Sequence, residues 1–464
     1  MKDKSKSLRL WGSRFSKSTS PLVDKFTSSI SFDNILAKYD VLGSIAHAEM
    51  LGKQKIISSK DANSIVKGLK SILKEINSGK FKFDPNAEDI HSNIQDVLLQ
   101  KIGDVAHKLH TARSRNDQIT LDIKLYLKDH LSNIIKLIKL LQKSILVFAK
   151  KNFQIIIPGY THLQPAQCVL LAHHLLAYVE GLERDKERLF DAKNRLDQMP
   201  LGACALSGTA LDIDRDYVKK KLNFKNLSEN SIDTVSDRDY ILEVLADLSI
   251  LAMHFSRMAE DLILWYTKEF NFINIDFSFC TGSSIMPHKK NPDVLELIRG
   301  LASRIYSDFF SVLVLMKGLP LSYNRDLQLD KPPLFDAIDT TKSILEIFIP
   351  LFKNITVIKE TISQKLKDES LFSVDIVEYL IKKGLSYREA HDIVGRLIKD
   401  CLDKGRKISD LTASQLKKYS PKLEVDVKNI LDAYVSVNLK KSYGSTNPKL
   451  VAEQLNKWSK KLDE

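Results

Sequence analysis

The segment LSNIIKLIKLLQKSILVF, residues 131–148, has the most regular residue pattern in the chain. Its apolar residues recur at spacings of three and four, and its lysines fall between them. Because an α-helix has about 3.6 residues per turn, this spacing gathers the apolar side chains on one face and the lysines on another. The segment therefore predicts a long amphipathic helix.

Four further long helices are predicted downstream, at about 165–200, 236–270, 291–318 and 332–350. Prolines mark several of the boundaries and a glycine marks one end, because proline fits the first turn of a helix and glycine suits the residue after the last turn. The third of these helices is apolar around most of its circumference, so it must be buried on most sides. One bundle of five helices does not bury it fully, which indicates that the chain oligomerises.

Shorter helical segments and turns occupy the two ends of the chain. The prediction is an all-α fold with a long central five-helix bundle, residues 112–363. Two small helical domains flank it, at residues 1–111 and 364–464. Strand-like alternation is scarce, and only a short pair near residues 272–277 is expected.

Composition excludes several classes of protein. The chain has 464 residues, 44% of them hydrophobic and 28% charged, which is typical of a soluble globular protein. The longest apolar stretches are interrupted by charge, and no apolar run follows the lysine- and serine-rich start, so neither a membrane helix nor a secretory signal is expected. The four cysteines are far apart, which favours the reducing cytoplasm over a disulfide framework or a zinc site.

The net charge of +12 would suit nucleic acid, a membrane surface or an acidic substrate. The lysines, however, are spread along the chain, and no nucleic-acid-binding pattern accompanies them. Diffuse lysine enrichment is more typical of a solvated surface. Neither a nucleic-acid partner nor a membrane partner is therefore expected.

The segment TGSSIMPHKKNPD, residues 281–293, combines a flexible loop, two lysines and a helix start. Asn291 is a good N-cap, Pro292 fits the first helical position, and Asp293 suits the positive end of the helix dipole. Lys289 and Lys290 beside a helix N-terminus are suited to binding a carboxylate or a phosphate. The alternative is a basic surface loop before a capped helix.

Two further polar loops precede predicted helices. In HTARSRNDQ, residues 110–118, Arg115 and Asn116 have the donors to hold a carboxylate, although a capped helix start with surface arginines explains the segment equally well. In GYTHLQPAQ, residues 159–167, Thr161 and His162 precede the helix expected at Pro165. A histidine in a loop can act as acid or base near neutral pH, and the alternative is a histidine packed under the bundle.

The serine loop and these two segments belong to separate helices. In an antiparallel bundle, loops that are one helix apart in sequence usually lie at opposite ends. A site built from all three therefore predicts that different subunits contribute them.

Motifs along nearly the whole chain resemble those of one family: LWGSRF (10–15), EDIH (88–91), KLHTARSRNDQ (108–118), YTHLQ (160–164), VSDRD (235–239), the serine loop, GLPLSYNRDLQ (318–328), YREAH (387–391) and VGR (394–396). The serine loop alone resembles the fumarase/aspartase superfamily. The SRNDQ and YNRD segments are similar to those of the argininosuccinate lyases within it.

The resemblance implies β-elimination of argininosuccinate to arginine and fumarate, the last step of arginine biosynthesis, without a metal or organic cofactor. It also implies a homotetramer in which the bundles pack together and the active sites are shared. Ser283 and His162 would serve as base and acid, and the resemblance leaves open which takes which role. Lys289 and Asn291 would stabilise the negative charge that develops on the substrate carboxylate.

The resemblance also implies a set of substrate-binding residues. Asp33 would hold the positively charged arginine end, and Arg115, Asn116 and Thr161 the succinyl end. Asp293 and Glu296 would orient Lys289 or His162. The remaining members of the implied binding set are Ser29, Tyr323, Gln328 and Lys331.

The chain departs from the family pattern at six positions, none of them catalytic. His288 stands where glutamine is usual, Ala112 and Ser13 where glycine is usual, and Gln95 and Leu329 where glutamate is common. Cys168 replaces a common proline. His288 would affect loop mobility or pH response, and Ala112 is costly only if its backbone needs a positive φ angle.

Other functions remain as alternatives. One is another fumarate-releasing lyase of the superfamily, acting on adenylosuccinate, aspartate or malate. Asp33, Tyr323 and Gln328 suit an arginine moiety, whereas a nucleotide needs phosphate-binding residues that are not found. The other is a catalytically silent structural protein like the δ-crystallins, against which the intact Ser283, His162 and Lys289 argue.

Overall fold

A computed structural model describes residues 19–463. The LWGSRF motif and the Ser13 departure lie outside this range. Helix makes up 68% of the structure, and the strands are two to seven residues long. The prediction of an all-α fold is therefore confirmed.

The α-helices and strands follow in chain order: α1 Pro21–Thr27, α2 Ile30–Asp33, α3 Ala37–Lys53, α4 Ser59–Asn77, α5 Ile90–Ile102, α6 Arg115–Lys151, β1 Ile156–Thr161, β2 Gln164–Leu170, α7 Leu171–Arg195, β3 Gln198–Met199, α8 Arg215–Lys221, β4 Asn226–Leu227, α9 Ser231–Ser236, α10 Asp239–Tyr266, β5 Ile273–Ile275, β6 Thr281–Gly282, β7 Lys290–Asn291, α11 Asp293–Met316, α12 Lys331–Leu351, β8 Ile355–Val357, α13 Lys359–Lys365, α14 Ser373–Lys382, α15 Tyr387–Asp403, α16 Ala413–Lys417, α17 Ala433–Leu439 and α18 Pro448–Asp463. Two short 3₁₀ helices at Gly103–His110 and Arg325–Asp330 precede α6 and α12.

The described chain folds into two compact units. The first comprises residues 19–131, Ala192–Glu243 and Phe310–Phe335, and the second comprises Ser132–Asp191, Val244–Phe309 and residues 336–463. The division into domains at 1–111, 112–363 and 364–464 stays a prediction.

In the second unit the five long helices pack on one another, as the helical periodicity predicts. Gln142 of α6 donates to the Val179 carbonyl of α7, and Ser144 of α6 donates to the Ile349 carbonyl of α12. The Phe255 ring of α10 lies 5.9 Å from that of Phe348 in α12. An ion pair between Arg299 and Glu260 joins α11 to α10. Together these contacts confirm a bundle of α6, α7, α10, α11 and α12.

The first unit has its own apolar core, formed by α3, α4 and α5 with residues from α8. Leu51, Ile65, Leu69 and Leu98 are fully buried there. Buried apolar surface of this kind supplies the main stabilisation of a helical unit. The core also fixes the start of α5, where Asp89 caps the helix by accepting the N–H of Ser92 at 2.7 Å.

The second predicted helix does not begin at Pro165. Residues 156–170 form an antiparallel hairpin of β1 and β2, in which Pro165 pairs with Tyr160, and α7 begins only at Leu171. The prediction of a helix from 165 is therefore wrong. Proline fits an edge strand as well as the first turn of a helix, since its missing N–H costs little in either place.

The other boundaries differ by a few residues. α6 begins at Arg115, so Arg115 and Asn116 lie in its first turn and not in the loop before it. α10 ends at Tyr266, four residues before the predicted Phe270. α11 begins at Asp293, because Asn291 pairs with Thr281 in the β6–β7 ladder.

The strand expected near residues 272–277 is present as β5. Its partner is β8, residues 355–357, and not a neighbouring segment. None of the described helices has the length and apolarity needed to cross a membrane.

Candidate active site

Seven of the predicted substrate-binding residues line one cavity of about 140 Å³ in the first unit. They come from three parts of the chain: α2 with the residue before it, the first turn of α6, and the segment that leads into α12 with the first residue of that helix. The seven are Ser29, Asp33, Arg115, Asn116, Tyr323, Gln328 and Lys331. The fold thus gathers residues that are about three hundred positions apart in sequence, and their binding roles stay predictions.

Asp33 supplies a buried negative charge to this cavity. It is 1% exposed, and its carboxylate accepts hydrogen bonds from Ser29 Oγ at 2.6 Å and from the Ile90 N–H at 3.1 Å. Burial raises its pKa to about 6, because the carboxylate has lost most of its hydration. A bound cation would stabilise the charged form of this carboxylate in place of water. A guanidinium is a suitable cation.

Arg115 is held by a carboxylate of the protein itself. Its Nε donates to Asp89 Oδ2 at 2.6 Å, and its Nη2 donates to Asp89 Oδ1 at 3.2 Å and to Ser92 Oγ at 2.6 Å. Burial opposes ionisation of Asp89, but the charges of His91 and Arg115 outweigh it and hold its pKa well below its usual range. Among residues 19–463, only Nε and Nη2 of this guanidinium are hydrogen-bonded, so Nη1 is available to a ligand.

His91 also lines the cavity, although the sequence analysis did not select it. Its Nδ1 lies 3.2 Å from Asp40 Oδ2 and 3.7 Å from Asp122 Oδ2. Burial disfavours the charged ring, but the charges of Asp40, Asp89 and Asp122 outweigh it and raise its pKa to about 9. His91 is thus a fixed cation in the cavity wall at neutral pH. The EDIH motif was the sequence signal that pointed to it.

Asp40, His91 and Asp122 have ligand atoms within 4.8 Å of one another, the spacing of a metal site. The positive charge they need is nevertheless supplied by protein groups. His91 donates to Asp40, and the guanidinium of Arg113 lowers the pKa of the same carboxylate further. The cluster is therefore an ion-pair network that holds His91.

Lys331 enters the cavity wall from a second charged network. Its Nζ donates to the Leu327 carbonyl at 3.1 Å and to Asp330 Oδ1 at 2.9 Å. The other oxygen of Asp330 accepts from Arg238, which is fully buried. Burial lowers the pKa of Lys331, and Asp330 offsets part of that effect. Arg325, also missed from sequence, lines the cavity and donates to the Thr27 carbonyl at 2.6 Å.

Thr161 and His162 lie at the tip of the β1–β2 hairpin in the second unit. The φ angles of His162 and Leu163 are 54° and 57°, which is the conformation of a tight hairpin turn. His162 lines a second cavity of about 710 Å³, whose wall is mainly aromatic and aliphatic. His174 lies in that wall and is hydrogen-bonded to Asp261 at 2.9 Å.

The serine loop is largely exposed, and the short β6–β7 ladder closes its base. Ser283 Oγ accepts the backbone N–H groups of Ile285 at 3.3 Å and Met286 at 3.0 Å. These two donors would favour negative charge on the oxygen. Asp293 accepts a hydrogen bond from Thr281 Oγ1, and its expected role in orienting Lys289 or His162 stays a prediction.

The two lysines of the loop differ in their surroundings. Lys290 Nζ donates to Asn274 Oδ1 at 3.2 Å and to the Ile275 carbonyl, and it lies 4.2 Å from the centre of the Phe277 ring. Lys289 is exposed, and among the described residues its ammonium forms no hydrogen bond or ion pair. Lys289 is therefore the lysine that is free to meet a ligand. The lining of the first cavity does not include Thr161, Asn291, Glu296 or the serine loop.

Comparison with known proteins identifies the family to which the chain belongs. A family model described as "Lyase" matches residues 13–307, and one described as "Argininosuccinate lyase C-terminal" matches residues 371–438. The argininosuccinate lyase of Syntrophus aciditrophicus (strain SB) is 48% identical over 98% of this chain and 96% of its own length. That of Pelotomaculum thermopropionicum is 47% identical over 98% and 99%.

Solved structures share the fold. An EDDS lyase variant with bound fumarate superposes with a TM-score of 0.84 at 24% identity, covering 97% of this chain and 91% of that one. The class II fumarase of Schistosoma mansoni gives 0.74 at 16% identity, covering 89% and 92%. These likenesses establish the fold alone, whereas the full-length relatives at nearly half identity establish the family. On that identity, and on the C-terminal match specific to it, the chain belongs to the argininosuccinate lyase family.

Proposed function

We propose that the chain catalyses the reversible β-elimination of argininosuccinate to L-arginine and fumarate. The observation that carries the proposal is the charge layout of the first cavity. A buried carboxylate, Asp33, shares this small space with the cations Arg115, His91 and Lys331. Argininosuccinate carries complementary charges, because its arginine part has a guanidinium and an α-ammonium and its succinyl part has two carboxylates.

The elimination needs a base, an acid and a group that holds negative charge. The base removes a proton from the carbon next to a carboxylate, the carbon–nitrogen bond breaks, and the departing guanidino nitrogen takes a proton. Two backbone N–H groups on Ser283 Oγ support its role as base, since they stabilise the deprotonated oxygen. His162 would then protonate the leaving nitrogen.

Negative charge accumulates on the substrate carboxylate as the proton leaves. Lys289, which is exposed, and Asn291 would stabilise that charge. Asp293 and Glu296 in the first turn of α11 would adjust the position of these groups, and Thr161 would bind the succinyl end beside His162. No step in this scheme requires a metal or an organic cofactor.

The assembly belongs to the same proposal. The active enzyme would be a homotetramer in which subunits share their active sites and the 112–363 bundles form the common core. Exposed apolar side chains on α11 support this, because Leu297, Phe310 and Val314 are each more than 60% exposed in the single chain. The four free cysteines agree with a reducing compartment such as the cytoplasm.

The test is fumarate release by the purified chain, with argininosuccinate, adenylosuccinate, aspartate and malate offered in parallel. Fumarate from argininosuccinate alone is the expected result. Release from a different substrate would overturn the assignment of Asp33, Tyr323 and Gln328. Silence on all four, from a chain that is shown to be assembled, would favour a structural protein without catalysis.

A further inference from the structure

Asp117 is a buried carboxylate near the first cavity that has no role in the proposed reaction. It is fully buried in the first turn of α6, beside Arg115 and Asn116. Its Oδ1 accepts the N–H of Ser114 at 3.0 Å and so caps the helix. Its Oδ2 accepts the N–H groups of two residues from another part of the chain, Gly202 at 3.0 Å and Cys204 at 2.8 Å.

Gly202 and Cys204 belong to a turn at residues 201–205 with an unusual backbone. Their φ angles are 99° and 53°, a region that residues other than glycine enter only when neighbouring contacts hold them there. A Cβ atom added at Gly202 would come within 2.8–2.9 Å of the Arg215 side chain. The turn is therefore closely confined.

Arg215 holds this turn through its guanidinium, which donates to the Leu201 carbonyl at 2.8 Å and to the Met199 carbonyl at 3.3 Å. A further bond to the Ser228 carbonyl, 3.0 Å long, fixes the guanidinium itself. Asp117 and Arg215 thus fasten the same turn by different atoms.

The 201–205 turn also holds Asn116, a residue of the cavity wall. Asn116 Nδ2 donates to the Ala205 carbonyl at 3.0 Å, so the position of that carbonyl sets the orientation of the Asn116 amide. Asn116 and Arg115 both line the cavity and precede Asp117 in the chain. A shift of the turn would therefore be felt at the wall that faces the ligand.

We propose that Asp117 is a positioning residue whose carboxylate fastens the 201–205 turn to the start of α6. In doing so it keeps Asn116 and Arg115 in the orientation that binds the succinyl end of the substrate. The inference rests on the proposed function, which assigns that end to these two residues. An asparagine at 117 keeps the volume but has one acceptor oxygen instead of two, and its NH₂ group would face backbone N–H donors.

The experiment measures the dissociation constants of fumarate and of arginine separately, by calorimetry, together with KM and kcat for argininosuccinate. In Asp117→Asn we expect the fumarate dissociation constant and KM to rise about tenfold, the effect of losing roughly one hydrogen bond. Arginine binding should stay within about twofold, since Asp33 is untouched. Arg215→Lys, which loosens the same turn, should weaken fumarate binding in the same selective way.

Asp432→Asn is the matched control. Asp432 caps α17 by accepting the Val435 N–H at 2.9 Å and belongs to the second unit. The Asp432→Asn variant should have lower thermal stability, with the dissociation constants of fumarate and arginine unchanged.

Unchanged fumarate binding in a folded Asp117→Asn enzyme, or equal weakening of fumarate and arginine, would overturn the inference. If that variant does not fold, Arg215→Lys decides by the same two criteria. Failure of the wild-type chain to release fumarate from argininosuccinate would instead defeat the proposed function, so the two failures are distinguishable.

Discussion

Ser283 is the residue on which the proposed chemistry depends most. Its hydroxyl oxygen accepts two backbone N–H groups of its own loop, and its surroundings are largely exposed. A serine hydroxyl is a weak base in water, so these donors, the nearby lysine and closure of the loop would have to favour the deprotonated form.

Ser283→Ala is predicted to lower kcat by about 10²–10⁴-fold, the usual contribution of a general base. The helical content should not change, because the side chain holds no other element in place. Turnover assays with circular dichroism check both points, and Ser284→Ala, one position along the same loop, is the control. Equal activity in the two variants would remove Ser283 from the mechanism.

His91 predicts a specific dependence of stability on pH. Its pKa is raised to about 9 in the folded chain, against about 6.5 for an unperturbed histidine. A raised pKa stabilises the fold fully below the unfolded value, and this stabilisation is lost as pH rises through about 9. The melting temperature of the wild type should therefore exceed that of His91→Gln most clearly near pH 6.

The difference between those two melting curves should shrink steadily between about pH 7 and pH 10, because only the wild type gives up the imidazolium. Comparing the two proteins cancels the contributions of the titrating groups that do not interact with His91. A difference that stays constant across the series would mean that His91 is not held as a cation by Asp40 and Asp122.

At the scale of elements, the turn before α6 contains a backbone position that is strained for an alanine. Ala112 has a φ of 55°, in the left-handed region that the sequence analysis named as the condition for strain. A glycine enters that region freely, whereas an alanine pays about 1 kcal/mol there. The strain lies two residues before the Ser114 cap that Asp117 completes.

Ala112→Gly is accordingly predicted to relieve strain of about 1 kcal/mol in the folded protein. The greater conformational entropy of glycine in the unfolded chain offsets part of this gain. Differential scanning calorimetry would detect a higher melting temperature. Ala48→Gly, in the buried interior of α3, is the control and should lower it. A lower melting temperature in both variants would show that the φ of residue 112 carries no strain.

At the scale of the whole molecule, the exposed apolar residues of α11 indicate where a second copy would pack. Phe310 is 61% exposed and Val314 is 65% exposed, one helical turn apart. Side chains this large are seldom left in contact with water in a row along one helix.

Phe310→Glu is predicted to break the assembly into smaller species and to abolish fumarate release while the helices stay formed. Light scattering after size-exclusion chromatography gives the mass of the particles, and circular dichroism gives the helical content. Leu402→Glu is the control, since Leu402 is 71% exposed on α15 and should tolerate the charge. Full activity from a monomeric Phe310→Glu chain would contradict shared active sites.

The sequence by itself determined the long helices and the family. Helical periodicity and helix-end residues are local signals, so α6, α10, α11 and α12 could be located from residue spacing together with proline and glycine positions, with boundaries in error by a few residues. The motifs that identify the family are likewise contiguous segments. Seven of the residues predicted from them to bind substrate line a single cavity.

Only the tertiary structure decided features that depend on distant contacts. Pro165 fits a helix start and an edge strand equally, and its pairing with Tyr160 settles the matter. Sequence spacing gives no sign that His91 meets Asp40 and Asp122, or that Asp117 reaches Gly202 and Cys204. Such contacts arise from how helices pack, and packing determines which buried charges are paired and which face a ligand.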